Sequence, residues 1–414
     1  MPNRSSWSIR TMTSPTTRSL EVDFFRGIVL LIIAVDHITG SVLSHFTLHQ
    51  YAFCDSAEVF VFLGGYASAA AYTALATRRS ETAARRRFFK RSWEIYRAYL
   101  FTAFLMLIGG ALLMLLKIDT PMVQYTEWPN FLVRPFGLIG DIALLRQQPY
   151  LSAVLPMYSV FALAVPVIVP LAQKKPVIAM FASLLVWLAA MPLLRVLPGT
   201  YGEAWSFNPF AWQLMFMTGI LARVQPISDE FHAGRFARWL TAGAIALALT
   251  FAFFKLFLET QAPPGYMKQN LATLRIVSFA VIAWIIARAV YAGWVGKLAR
   301  KLPGIVTIGQ QGLVCFIAGA CVSLVLDSAL RAMGVLGLGR YPSHWILGLI
   351  ADGIAIASLL FLARFWAERK ASKAARAQMQ AQVRANGMER TAPPPVPLIK
   401  GRPVPVHAGN RRDR

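Results

Sequence analysis

The run FFRGIVLLIIAVDHITGSVL, residues 24–43, decides how the rest of the chain is interpreted. It has the length of about 20 mostly apolar residues that a helix needs to cross a bilayer. The run is too long for the core of a cleaved signal peptide, and it carries Asp36 and His37 without a small-residue cleavage site. We therefore expect a retained membrane helix.

The whole chain has the composition of a membrane protein. Of its 414 residues, 56% are hydrophobic and 15% are charged, which is a larger apolar share than soluble domains have. The apolar stretch 131–145 is too short to cross and is interpreted as lumenal or re-entrant. The sequence predicts an all-α polytopic membrane protein with about ten transmembrane helices, at residues 24–43, 57–76, 98–116, 151–171, 177–194, 209–222, 239–258, 274–291, 305–326 and 345–366.

The positive charge of the chain is distributed by loop. The net charge is +23, and Lys and Arg are concentrated in every second loop, as in the segment with Arg85, Arg86 and Arg87. This alternation is typical of positive-inside topology and argues against nucleic-acid binding. We expect both termini to be cytoplasmic.

The ends of the chain differ from its middle. Residues 1–19 are rich in Ser, Thr and Arg, and residues 367–414 are basic and then proline-rich. Neither segment can bury much apolar surface, so we expect two disordered cytoplasmic ends around a membrane domain at 20–366. The cysteines Cys54, Cys315 and Cys321 lack metal or redox spacing, and no metal site is expected.

The first span carries ionisable residues, which are costly in a membrane and usually functional. Arg26 and His37 are eleven positions apart, so they share one helix face with an axial separation of ~16 Å. An imidazole there suits proton abstraction from a hydroxyl, with Asp36 as its support. The alternative is a histidine bonded to the backbone of another helix and an arginine that only marks the cytoplasmic side.

Other polar residues have both a structural and a functional interpretation. Asp55 and Glu58 open the second span, where helix capping and acceptor binding are both open. Trp212 and Gln213 lie in an aromatic run that suits the membrane interface or a sugar-stacking wall. The pair Gln310-Gln311 lies inside an apolar span and predicts interhelical hydrogen bonds.

Taken together, these stretches resemble the OpgC-type succinyltransferases of osmoregulated periplasmic glucans, which are similar to the wider acyltransferase-3 membrane enzymes. The resemblance covers roughly residues 20–366, in the order of the family. The matching segments are Arg26 with Asp36-His37-Ile38, and the runs 55–66, 155–158, 207–213 and 308–311.

The resemblance implies transfer of a succinyl group from succinyl-CoA, across the bacterial inner membrane, to glucose hydroxyls of a periplasmic glucan. Acyl-CoA would be a co-substrate, with no tightly bound cofactor. The resemblance also implies that His37 takes part in acyl transfer and that Arg26 helps to hold the donor. We further expect Asp36 to support catalysis. The other expected site residues are Arg91 and Arg97 for the donor, Glu58, Asp55, Trp212 and Gln213 for the acceptor, and Tyr66, Tyr158, Gln310 and Gln311 in support. The wider group's Arg-x-x-Arg motif before the third span is not matched, and Arg87-x-x-Lys90 is nearest.

Two rival functions stay open at this point. One is an O-acetyltransferase of another envelope polysaccharide. The other is a proton-coupled secondary transporter that uses Asp36 and His37 as a relay, although the chain has no internal repeat. The sequence also leaves open the acyl group, the exact acceptor, an acyl-enzyme intermediate and a homo-oligomeric state.

Overall fold

The computed structural model describes residues 19–391 except 119, 200–204, 260, 336 and 338–340, with side chains up to residue 380. Within this part of the chain the regular structure is helical throughout, without a strand. The helices are α1 (Leu20–Asp36), α2 (Ser56–Arg78), α3 (Glu81–Leu115), α4 (Met122–Tyr125), α5 (Trp128–Val133), α6 (Pro135–Ala143), α7 (Val154–Lys174), α8 (Pro176–Leu188), α9 (Ala190–Leu194), α10 (Pro209–Val224), α11 (Asp229–Ala233), α12 (Arg235–Phe253), α13 (Gly265–Gln269), α14 (Thr273–Tyr291), α15 (Trp294–Lys301), α16 (Pro303–Gln310), α17 (Gly312–Ala332) and α18 (Pro342–Thr391).

Seven helices of the described chain are long and apolar enough to cross a membrane: α2, α3, α7, α12, α14, α17 and α18. The other predicted spans coincide with the shorter helices α1, α8 and α10. The chain is therefore an all-α polytopic membrane protein, as predicted. Helices α7 and α17 are central, because half of the apolar window of each is buried, whereas α12 is peripheral with 6% buried.

Two predicted spans are broken in the structure. The span at 177–194 divides into α8 and α9, and the span at 305–326 divides into α16 and α17 at Gln311. Helix α16 instead packs along α1, where Gly27 and Gly309 bring the two backbones together. A Cβ atom on Gly27 would collide with the Ile305 carbonyl, and one on Gly309 with the Asp23 carbonyl. Hydropathy cannot register such a break, because both halves are apolar.

A second close crossing joins α2 to α10. A Cβ atom on Gly65 would collide with the Phe216 carbonyl, and one on Gly219 with the Phe62 carbonyl. Small residues permit this kind of backbone approach between membrane helices. The crossing fixes the N-terminal half of α2, which carries Glu58 and Tyr66 and is capped by Asp55.

The apolar stretch at 131–145 lies in α5 and α6, beside α3. The Tyr96 hydroxyl of α3 donates to the Ala143 carbonyl at 2.7 Å. The Tyr99 hydroxyl donates to the Gln147 carbonyl at 2.8 Å. This stretch is therefore made of short helices that are held on α3 rather than forming a span.

The chain forms two compact units, Met1–Trp366 and Ala367–Arg414. Helix α18 continues to Thr391, into the segment for which the sequence predicts no structure. Ala, Arg, Lys, Gln and Glu follow Trp366, and all are good helix formers. The predicted disorder of 1–18 and 392–414 lies outside the described residues.

Candidate active site

His37 lies at the C-terminal end of α1 as its C-cap residue. We call this side of the protein, which the charge pattern predicts to be periplasmic, the outer side. Its Nδ1 atom is 2.6 Å from the Ile33 carbonyl oxygen. A carbonyl can only accept, so Nδ1 carries the proton and Nε2 keeps its lone pair. The ring also packs edge-on against Tyr150, with 5.7 Å between centroids. The histidine is thus bonded to the backbone of its own helix and not to that of another helix, and this bond leaves Nε2 able to accept a proton.

The contacts of the Asp36 carboxylate are directed away from the His37 imidazole, although its charge still acts on the ring. Its Oδ1 is 2.9 Å from the Thr47 hydroxyl, and its Oδ2 is 3.5 Å from His49 Nδ1. Adjacent helix positions diverge by about 100°, which directs the two side chains apart. Asp36 therefore holds the outer loop after α1, and the Ile33 carbonyl orients His37.

Helix α1 ends at Asp36, although the predicted span runs to residue 43. Two buried carboxylates from distant helices capture the backbone that follows. Asp327 Oδ1 accepts from the Thr39 amide at 2.7 Å. Asp352 Oδ2 accepts from the Val42 and Leu43 amides, each at 2.9 Å. These bonds replace helical ones and fold the chain back beside His37, a role for Asp327 that the sequence analysis missed.

A buried charge cluster lies at the outer end of α2. Arg275 of α14 donates to Glu58 Oε1 at 2.6 Å and to Asp55 Oδ2 at 2.9 Å, and Lys268 Nζ is 2.8 Å from the same Asp55 oxygen. Glu58 has no exposed surface, while 44% of the Lys268 side chain is exposed. Lys268 is therefore the member of this cluster whose side chain is most exposed at the protein surface.

Helix capping explains part of this cluster. Asp55 accepts from the Ala57 amide at 2.7 Å. Asp55 and Glu58 also form a capping box, in which the Asp55 side chain accepts from the Glu58 amide and the Glu58 side chain accepts from the Asp55 amide, the latter at 2.9 Å. Lys268 lies before α14, outside the spanning helices. Burial opposes its charge, but the Asp55 carboxylate raises the pKa of its ammonium above the ordinary value. Lys268 stays charged at neutral pH.

The outer cluster and His37 belong to one region. Lys268, Asp36 and Asp55 are the charged groups that act on the His37 imidazole. The sequence did not single out Arg275 or Lys268 as site residues. The signal that could have identified Arg275 is its position within the first turn of an apolar helix, where an arginine needs a partner.

Arg26 lies within α1, between its two ends rather than at the cytoplasmic one. It faces the break between α16 and α17, because a Cβ on Gly312 would lie 3.0 Å from a guanidinium nitrogen. It also acts electrostatically on Tyr158 of α7. At the break, Gln311 is buried and Gln310 is exposed. The structure thus brings Arg26 near Tyr158 and near the helix break that follows Gln311.

Trp212 and Gln213 of α10 have structural partners. Trp212 has no exposed surface, and its indole donates to the Lys268 carbonyl at 3.0 Å. Gln213 Nε2 donates to the Ser183 carbonyl at 2.8 Å. A sugar-stacking wall needs an exposed ring face, so this placement explains Trp212 through packing. Its bond to the Lys268 backbone still positions the outer cluster.

The remaining predicted residues lie on α2 and α3. Arg91 pairs with Glu94 at 3.4 Å, and Arg97 is exposed. The Tyr66 ring lies under the Arg223 guanidinium, 5.8 Å from it. None of these contacts identifies a nucleotide site, so the roles of Arg91 and Arg97 stay predictions.

The fold and the site define a class of protein: a polytopic membrane protein with a basic imidazole at the outer end of its first helix and an arginine deeper in the same helix. The chain belongs to the OpgC protein family, whose model matches residues 18–371. It is therefore a membrane acyltransferase of the OpgC type. No curated protein and no solved structure matches the chain.

Proposed function

We propose that this protein transfers a succinyl group from cytoplasmic succinyl-CoA to glucose hydroxyls of an osmoregulated glucan in the periplasm, and that it works in the bacterial inner membrane. The observation that carries the proposal is the geometry of His37 in a chain of the OpgC family. Its Nδ1 proton is held by the Ile33 carbonyl, so Nε2 is the basic atom.

The chemistry needs one proton transfer in each direction. Nε2 of His37 takes the proton of a glucose hydroxyl as its oxygen attacks the thioester carbonyl carbon. The C–S bond then breaks, the thiolate takes the proton from Nε2, and a succinyl ester and free coenzyme A remain. The Ile33 carbonyl lies 2.6 Å from Nδ1 and stabilises the imidazolium during the reaction.

The two substrates would reach His37 from opposite sides. Arg26 lies ~16 Å along α1 from His37, which suits contact between its guanidinium and a phosphate of the donor. Lys268 and Asp55 form the outer side, where glucan hydroxyls can accept and donate hydrogen bonds. Glu58 is enclosed, so it would act on the acceptor side by fixing Arg275.

The test is mass spectrometry of periplasmic glucans from cells with the chain, without it, and with His37→Ala. A mass increase that fits succinyl, present only with the unchanged chain, would support the proposal. An increase that fits acetyl would make acetyl, and not succinyl, the transferred group. Unmodified glucans in all three strains would overturn acyl transfer to this acceptor and leave an O-acetyltransferase of another envelope polysaccharide as the rival.

A further inference from the structure

Tyr158, in the first turns of α7, carries a buried polar atom that the mechanism above does not use. Its hydroxyl oxygen is inaccessible and has no hydrogen-bond partner among the described residues. Buried tyrosine hydroxyls almost always have a partner, so an exception calls for an explanation. Tyr99 is the ordinary case, because its buried hydroxyl donates to the Gln147 carbonyl at 2.8 Å.

The surroundings of this hydroxyl are apolar and shaped by a glycine. A Cβ on Gly64 of α2 would lie 3.1 Å from the hydroxyl oxygen, so α2 presents bare backbone there. The Tyr158 ring packs edge-on against Phe60, with 5.2 Å between centroids, and Phe60 stacks on Phe316 at 6.2 Å. Arg26 is the charged group that acts on the phenol.

The position of Tyr158 of α7 relative to helix α1 is also informative. Tyr158 packs against the apolar cluster that contains Leu30 and Ala34. These two residues lie between Arg26 and His37 in the sequence of α1. Tyr158 therefore lies in the same part of the membrane domain as the middle of α1, the stretch that a donor extended from Arg26 to His37 would have to pass.

We propose that the Tyr158 hydroxyl binds the acyl donor inside the membrane, by donating a hydrogen bond to one of its carbonyl oxygens. This inference rests on the proposed function, which names an acyl thioester carried on a long polar arm. Such a donor has amide carbonyls along the arm and a thioester carbonyl at its end. An uncharged hydroxyl between aromatic rings can bind either oxygen, whereas a plain hydrocarbon chain would leave it unpaired.

The test compares Tyr158→Phe with a matched control, Tyr99→Phe, in purified protein. Without donor, Tyr158→Phe should unfold at the same temperature as the unchanged protein or higher, because no protein contact is lost. Tyr99→Phe should unfold at a lower temperature. With succinyl-CoA, Tyr158→Phe should raise the KM for the donor about 3- to 10-fold, as loss of one uncharged hydrogen bond predicts. Its KM for glucan, and both KM values of Tyr99→Phe, should stay unchanged.

A succinyl thioester of a simple thiol, which has no amides, identifies the carbonyl. If Tyr158→Phe and the unchanged protein use it equally well, the hydroxyl binds an amide of the arm. If the deficit persists and appears in kcat, the hydroxyl binds the thioester. Equal kinetics with both donors would overturn the proposal, as would a lower unfolding temperature with unchanged donor kinetics.

Thermal stabilisation by succinyl-CoA separates this proposal from the proposed function. If the unchanged protein is stabilised but transfers nothing, the transferase function fails, while loss of the stabilisation in Tyr158→Phe would still support a donor contact. If succinyl-CoA does not stabilise the unchanged protein at all, the role of Tyr158 is overturned as well.

Discussion

At the scale of single residues, one backbone contact leaves Nε2 of the His37 imidazole able to accept a proton. The Ile33 carbonyl holds Nδ1 at 2.6 Å, and this fixes both the tautomer and the ring orientation. A carboxylate often has this role beside a catalytic histidine. Here the neighbouring carboxylate of Asp36 points to the outer loop, and an i−4 carbonyl of the same helix replaces it.

His37→Ala is expected to lower turnover by more than ~10², because it removes the general base. The amount of protein in the membrane should not change. His45→Ala is the matched control, since His45 Nδ1 also lies near an i−4 carbonyl, that of Ser41, at 3.1 Å. It should keep full activity. Steady-state acyl transfer in nanodiscs measures both, and full turnover in His37→Ala would exclude it as the base.

Asp36 is expected to act through His49, as part of the anchor of the outer loop. Asp36→Asn and His49→Ala should each lower kcat less than tenfold, well short of the effect of His37→Ala. Because the two residues share one contact, the double variant should lose little more than either single variant. A double-mutant cycle on kcat tests this. Additive losses, or an Asp36→Asn effect as large as that of His37→Ala, would favour direct support of the imidazole.

At the scale of the helices, the outer ends of α2 and α14 are locked by charge. Arg275 of α14 reaches Glu58 and Asp55 of α2, and all three side chains are largely buried. A buried charge pair is neutral or weakly stabilising as a pair, but removal of one partner leaves an uncompensated charge. Removal of one partner from this cluster should therefore destabilise the protein more than removal of both partners.

Arg275→Met should lower the free energy of unfolding by about 3–5 kcal/mol, because Glu58 then stays buried without its partner. Glu58→Gln in the same chain should recover part of this loss, because it removes the stranded charge. Thermal unfolding in detergent compares the two variants with Arg85→Met, which breaks an exposed pair with Glu81 and should change little. No recovery in the double variant would mean that Arg275 stabilises by packing alone.

At the scale of the whole molecule, the side on which each substrate enters depends on topology. The charge pattern predicts a cytoplasmic segment between α2 and α3, and a periplasmic loop between α1 and α2. Phe46 in that loop and Thr82 at the start of α3 are both exposed. Single cysteines at these two positions therefore report the two sides.

Phe46→Cys and Thr82→Cys, each in a background without Cys54, Cys315 and Cys321, should react oppositely with an impermeant thiol reagent. The reagent added outside spheroplasts should label the cysteine at position 46, while the one at position 82 should require membrane disruption. Both should label once detergent is added, which controls for burial. Labelling at position 82 alone would invert the topology and, with it, the proposed entry sides of donor and acceptor.

By itself, the sequence determined the class of fold and the local part of the site. Apolar blocks of membrane length predicted an all-α polytopic protein, because hydrocarbon requires each spanning backbone to satisfy its own hydrogen bonds. The spacing of Arg26 and His37 is local, since Arg26 lies in α1 and His37 is its C-cap residue, so helix periodicity alone is enough to predict how they are related.

Only the tertiary structure decided how α1 ends and what faces His37. Asp327 and Asp352 bond the backbone after α1 across 288 and 310 positions of sequence. Arg275 meets Glu58 across 217. The sequence around each of these residues does not reveal such a distant partner. Each residue taken alone could equally be a helix cap or take part in some other interhelical contact. Partners of this kind are fixed by helix packing, where close glycine crossings bring distant backbones together.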